Sequence, residues 1–95
     1  MSLLFEWDNK KAEENRKKHG VSFDEATSVL DDPLSVTIPD PDHSADESRF
    51  VTMGMSQRNR ILVIVHTDRG SRLRMISARQ AESLEVRKYE QGKQE

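Results

Sequence analysis

The chain has no cysteine. That excludes disulfides, thiolate metal sites and a cysteine nucleophile, and it fits a reducing cytosol. Aromatic residues are few, with one Trp, one Tyr and three Phe among 95 residues. Only 34% of the chain is hydrophobic and an equal share is charged. A single domain spanning residues 1–95 therefore has a thin core, and a partner covering its surface would add to its stability. The longest apolar run, Ile61–Val65, is far too short to cross a bilayer. Met1–Asn9 lacks both the basic and the apolar regions of a secretory signal. A soluble, cytoplasmic domain with no membrane partner is expected. The four glycines are isolated, so no phosphate-cradling glycine loop is present. His19, His43 and His66 have no ligand spacing. Asp40-Pro41-Asp42-His43-Ser44 begins like a calcium loop, but Ala45 and Val51 stand where such a loop needs glycine and glutamate. No metal and no cofactor is expected.

What the chain does have is arginine in one place. Residues 49–79 hold Arg49, Arg58, Arg60, Arg69, Arg72, Arg74 and Arg79, no lysine, and Asp68 as the single acid. Residues 1–48 carry twelve acids against five basic groups, and residues 80–95 four against three. The formal net charge of −2 thus hides a dipolar molecule. Guanidinium is a planar fork that grips phosphate oxygens in pairs and stacks on bases. A one-sided arginine cluster is the footprint of a nucleic-acid surface. The alternative is a salt-bridged sheet face, for which acids within the segment are too few.

Leu3–Trp7 reads as a short strand or an apolar helix entry. Asp8 suits an N-cap for a helix to about Lys18, stopped by Gly20. Ala12, Asn15 and His19 put polar residues where an apolar stripe would run. Ser22-Phe23-Asp24-Glu25 is a capping box for a second short helix to about Leu30, which Asp31-Asp32-Pro33 ends. Leu34–Ile38 alternates as a half-buried strand. Pro39–Glu47 is an acidic loop, and Ser48–Met55 is the next strand. The unbroken Ile61–Val65 within Arg60–Thr67 marks a central strand buried on both faces. A turn at Asp68–Ser71 leads to a strand over Arg72–Ile76, with Leu73 and Met75 on one face and Arg72 and Arg74 on the other, solvated one. Ser77-Ala78-Arg79-Gln80 reads as a capping box opening a last helix to about Tyr89, before a polar tail at 91–95. The expected class is α+β: a small antiparallel sheet of three to five strands, two N-terminal helices and one C-terminal helix.

Lys18, His19, Glu47, Arg49, His66, Arg69, Arg74, Arg79 and Tyr89 form a metal-free set that could act on RNA. RNA carries its own nucleophile, the 2′-OH, so a protein need supply only a base, an acid and cations. Each residue also has a structural reading. His19 could offset the helix dipole, Tyr89 could be core, and Glu47 with Arg49 could be a surface ion pair. Arg79 in a first helical turn would oppose the dipole, which points to a specific role.

Several blocks stand together in the chain: Phe5-Glu6-Trp7-Asp8 with Lys11; Asn15 with Lys18-His19-Gly20-Val21-Ser22-Phe23; Glu25-Ala26; Asp31-Asp32-Pro33; Glu47 and Arg49; Gly54; Ile61–Val65; Arg69; and Arg74-Met75-Ile76-Ser77-Ala78-Arg79-Gln80-Ala81 followed by Glu85 and Tyr89. Together they resemble the BrnT family, ribonuclease toxins of type II toxin–antitoxin systems with a RelE-like fold. The resemblance implies a metal-independent endoribonuclease that cleaves RNA and halts translation. It also implies a BrnA-like ribbon-helix-helix antitoxin, contact with operator DNA only through that complex, and a dimer or hetero-oligomer. The implied active surface combines Lys18 or His19 with Arg49, Arg69, Arg74 and Arg79. Taken with the residue reading, the expected catalytic set is Lys18, His19, Arg69, Arg74 and Arg79, with Glu47, Arg49, Arg72 and Tyr89 binding substrate. The alternative is a non-catalytic nucleic-acid-binding or protein-interaction module on the same arginine face. Only the enzyme needs a proton-moving side chain beside the arginines.

Overall fold

The computed structural model describes residues 4–41 and 48–94. Residues 42–47 of the acidic loop, His43 and Glu47 among them, lie outside these, and Pro39 ends β2 instead of opening the loop. The order is β1 (Leu4–Glu6), α1 (Asn9–His19), α2 (Phe23–Thr27), a 3₁₀ turn at Ser28–Asp31, β2 (Val36–Pro39), β3 (Arg49–Met55), β4 (Ile61–Arg69), β5 (Arg72–Gln80) and α3 (Ser83–Gln94). The expected α+β class holds. The five strands form one sheet in the order β1-β5-β4-β3-β2, with Ile61–Val65 on its middle strand. The neighbours β2, β3, β4 and β5 run antiparallel, but β1 pairs in parallel with β5, which corrects the purely antiparallel expectation. The crossover through α1 and α2 permits this, because it returns the chain to the same end of the sheet.

Local chemistry places the helices. The Asp8 carboxylate accepts from the Lys10 and Lys11 amides at 2.8 and 3.2 Å. Gly20 closes α1 in the left-handed region at φ 70°, its amide donating to the Arg16 carbonyl. Ser22 caps α2 through the Glu25 amide at 3.1 Å. Val21, Phe23, Ala26 and Val29 then pack on Leu62, Ile64, Leu73, Met75 and Ala78 to form the core. Trp7 meets Phe23 edge-on at 5.8 Å. Gly54 lets the 3₁₀ turn and the segment after it lie against β3, since a Cβ there would come within 3.0 Å of the Val29 Cγ1 and 2.8 Å of the Ser35 Cβ.

Two segments depart from the sequence reading. Strand β2 is exposed at all four residues, an edge strand rather than a half-buried one. Residues 77–80 extend β5 instead of opening a helix, since Leu62, Val63 and Ile64 pair with Gln80, Arg79 and Ala78. Ladder hydrogen bonds to the central strand outweigh a local cap. Helix α3 begins at Ser83, where the Glu85 carboxylate accepts from the Glu82 amide at 2.8 Å, and it runs through the expected tail to Gln94.

Strand β5 also carries an irregular step. Val65 pairs with Ser77 and His66 with Met75, so Ile76 has no partner opposite it. One extra residue reverses the alternation. Leu73 and Met75 face the core before the step, and Ala78 faces it after. The same step turns Arg79 to the face of Arg74, where unbroken alternation would have buried it.

Strand β1 covers only Arg72–Arg74 of β5. Beyond it, Asn15 takes the place of a neighbouring strand. Its side-chain amide donates to the Ala78 carbonyl at 2.8 Å and the Val21 carbonyl at 3.0 Å, and its oxygen accepts from the Ala78 amide at 3.1 Å. This accounts for a buried polar residue on α1. Asn15→Ala would strand three buried backbone groups and should cost about 2–4 kcal/mol. Urea unfolding measures this, and a loss below about 1 kcal/mol would show that Asn15 does not hold α1 to the sheet.

Candidate active site

Register and alternation define the sheet face opposite the core. At the hairpin, Arg69 faces Arg72. The next row is Arg49–Thr67–Arg74, then Val51–Val65–Ser77, then Met53–Val63–Arg79. The expectation that Arg72 and Arg74 oppose Leu73 and Met75 is met, with Arg72 exposed and Arg74 half-buried. Arg49, Arg69, Arg72, Arg74 and Arg79 therefore share one face.

A cleft of about 330 Å³ opens on this face, lined by Asp40, Arg49, Val51, Val63, Val65, Ile76, Ser77 and Arg79. A second hollow, about 300 Å³, is lined by Lys11, Glu14, Asn15, Lys18, His19, Ile76 and Ser77. Ile76 and Ser77 border both, so the irregular step in β5 is where they adjoin. Lys18 and His19 arrive there because Asn15, one turn earlier on α1, is fastened to Ala78. A larger hollow of about 420 Å³ lies at Ser28, Asp31, Asp32 and Tyr89. Two acids and no cation line it, which does not suit phosphate.

The arginines are less free than the sequence implied, because acids from outside residues 49–79 reach them. Arg60 grips the buried Glu25 through Nε at 2.9 Å and through a second nitrogen, and Arg58 approaches the same carboxylate at 3.9 Å. The Ser56 hydroxyl donates to Glu25 at 2.7 Å. Arg60 in particular holds the Glu25 carboxyl below its ordinary range. These two arginines belong to the scaffold. Arg74 lies 3.5 Å from Glu6 on β1. Arg79 forms a two-pronged pair with Glu85 at 2.8 and 2.9 Å. Arg79 is thus a strand residue, not a member of a first helical turn, and the conflict with the helix dipole disappears.

Other candidates lie elsewhere. The Tyr89 hydroxyl donates to the Asp32 carboxylate at 2.6 Å, and burial with that bond pushes the phenol up to about 12. Tyr89 fastens α3 and does not line the arginine cleft. His66 is buried on the helix-covered face, its ring nitrogens 2.8 Å from the Thr52 hydroxyl and 2.9 Å from Asp68. Glu47 lies outside the described residues. The sequence reading missed Ile76, Ser77 and Asp40 as lining residues. The signal was the Arg74–Ala81 block, in which Ser77 was taken for a helix cap.

An α+β sheet with an arginine-lined open face and a lysine–histidine pair at its border offers cationic donors suited to an anion such as phosphate. Residues 7–85 match the family described as "Ribonuclease toxin, BrnT, of type II toxin-antitoxin system". The chain belongs to the BrnT family, whose members are ribonuclease toxins with an antitoxin partner. The crystal structure of the Brucella abortus ribonuclease toxin BrnT superposes with a TM-score of 0.68 at 26% identity, over 86% of this chain and 100% of that one. This agrees with the RelE-like fold expectation. No curated protein sequence matches the chain significantly. Among the described residues no helix is long and apolar enough to cross a membrane.

The Arg79–Glu85 pair makes a pH prediction. Glu85 titrates at about 2 rather than the ordinary 4.5, first through the Arg79 hydrogen bonds. Its folded value lies below its unfolded one, so the stabilisation is present above pH 4.5 and is lost as pH falls toward 2. Glu85→Gln should lower thermal stability near neutrality and converge with the parent in acid. A gap that stays constant over that range would show that the ion pair is not its source.

Proposed function

We propose that this protein is a metal-independent endoribonuclease that cleaves RNA at the junction of the two hollows and so inhibits translation. The observation that carries the reading is that the hollow lined by Lys18 and His19 and the cleft lined by Arg49 and Arg79 share Ile76 and Ser77 as a common border. In this reaction the 2′-oxygen of RNA bonds to the adjacent phosphorus and the bond from phosphorus to the 5′-oxygen breaks. One proton leaves the 2′-hydroxyl and one joins the departing 5′-oxygen. Histidine is the side chain suited to moving protons near neutrality, so His19 is the proposed proton carrier. Lys18, Arg69, Arg74 and Arg79 supply cationic donors for charge developing on the phosphate. Arg49 and Arg72 bind the RNA backbone. The arginines take the part of an electrophile, so no metal is needed.

The antitoxin is proposed to be a BrnA-like ribbon-helix-helix protein that carries the operator-DNA contacts. It would mask the arginine face with acidic groups. A complex that neutralises the toxin while leaving this face open would refute that masking.

The test is cleavage of RNA by the purified protein in EDTA. Arg74→Ala and Arg79→Ala should each lower the rate roughly a hundred- to thousandfold, as for loss of one preorganised donor. Arg74→Lys should also fail if the two-pronged grip matters. His19→Ala should lose turnover and retain RNA binding, whereas a phosphate-gripping Lys18 would lose both on replacement by alanine. Binding should weaken steeply with salt as counterions are released. RNA bound by the parent but left uncut, with or without ribosomes, would favour the non-catalytic module.

A further inference from the structure

We propose that the Thr67 hydroxyl, with Arg49 and Arg74 on either side of it, forms a second phosphate subsite for the RNA backbone, bordering the cleavage cleft. The inference rests on the RNA reading and adds a residue and a position to it. Among the described residues, the Thr67 hydroxyl oxygen is the buried side-chain atom that has no hydrogen-bond partner. Thr67 is 4% exposed. A hydroxyl buried without a partner is unfavourable, and native proteins rarely leave one. Val63 and Val65 hold the two preceding positions on the same strand face, so a third valine would fit the pleated surface without that cost. The hydroxyl occurs where the neighbours change from apolar to cationic. Arg49 pairs with Thr67 on one side and Arg74 on the other, so two guanidinium groups flank it in one row.

The chemistry matches a phosphodiester, whose two non-bridging oxygens share one negative charge. A threonine hydroxyl donates one hydrogen bond and the flanking forks supply the rest. Arg49 and Arg74, the cross-strand neighbours of Thr67, are long, rotatable side chains. Arg74 lies 3.5 Å from Glu6, a contact that a more intimate anion can replace. Four residues of β4 separate this row from that of Arg79, about 13 Å along the strand. A phosphate at Thr67 is therefore a neighbour of the one being cleaved, and the hydroxyl acts on affinity rather than on the chemical step, whereas the long side chains of Arg49 and Arg74 serve both phosphates.

The experiment measures binding of a labelled single-stranded RNA oligonucleotide, its cleavage kinetics, and thermal unfolding. Thr67→Val keeps the side-chain shape and removes the hydroxyl. It should weaken RNA binding about tenfold, a typical effect for a hydrogen bond to a charged group. KM should rise in proportion with kcat nearly unchanged, and the unfolding temperature should be no lower than the parent's. Thr67→Ser restores the hydroxyl and should restore affinity. Glu6→Gln, which releases Arg74 and leaves Thr67 intact, should tighten binding severalfold and serves if the valine variant folds poorly. If the parent binds RNA and Thr67→Val binds equally well, the subsite is overturned while the RNA reading stands. A parent that binds no RNA overturns both.

Discussion

Everything at the candidate site depends on one irregular step in β5. With regular alternation, a strand that buries Leu73 and Met75 would bury Arg79 as well, and a guanidinium cannot enter a small apolar core unpaired. Ile76 has no partner across the ladder, so the alternation restarts: Ala78 enters the core and Arg79 joins Arg74 on the open face. The step also adjoins the free part of the strand's edge, past the end of β1. Asn15 occupies that edge with a side-chain amide acting as a strand partner. One defect thus sets which face the arginine takes and where α1 presents Lys18 and His19.

Charge is arranged around the same step. The arginine-rich segment is not a reservoir of free cations, because Glu6, Glu25 and Glu85 reach it from β1, α2 and α3. The Glu25 cluster is buried and closes the β3–β4 turn onto α2, so breaking it would leave an uncompensated charge. The pairs of Arg74 with Glu6 and Arg79 with Glu85 are more exposed. Their glutamates hold the forks in place and can yield to a phosphate. The acid-rich N-terminal half and the arginine-rich strands are therefore two parts of one electrostatic arrangement.

Helix α3 shows how few contacts anchor an element in a thin-cored protein. Glu85 fastens it to β5, and Tyr89 fastens it to Asp32, whose carboxylate also accepts from the Met55 amide. Leu84 is left 70% exposed. Polar clasps substitute here for the apolar stripe that a longer chain would supply.

By itself the sequence determined the elements whose signals are local. Asp8 and Gly20 bound α1, Ser22 starts α2, and the apolar run at Ile61–Val65 makes the central strand, because caps and periodicity act within a few residues. The shared face of Arg72 and Arg74 was legible for the same reason. The tertiary structure alone decided the rest. A Ser-x-x-Gln pattern at Ser77–Gln80 satisfies a capping rule, yet pairing with the central strand, 12 to 18 residues away in the chain, prevails, with the Asn15 side chain serving the outer edge at Ala78. The step at Ile76, the parallel seat of β1, the acids that answer the arginines and the meeting of Lys18 and His19 with Ser77 all involve groups distant in sequence. No local propensity encodes such contacts, because they arise only when the sheet closes around its core.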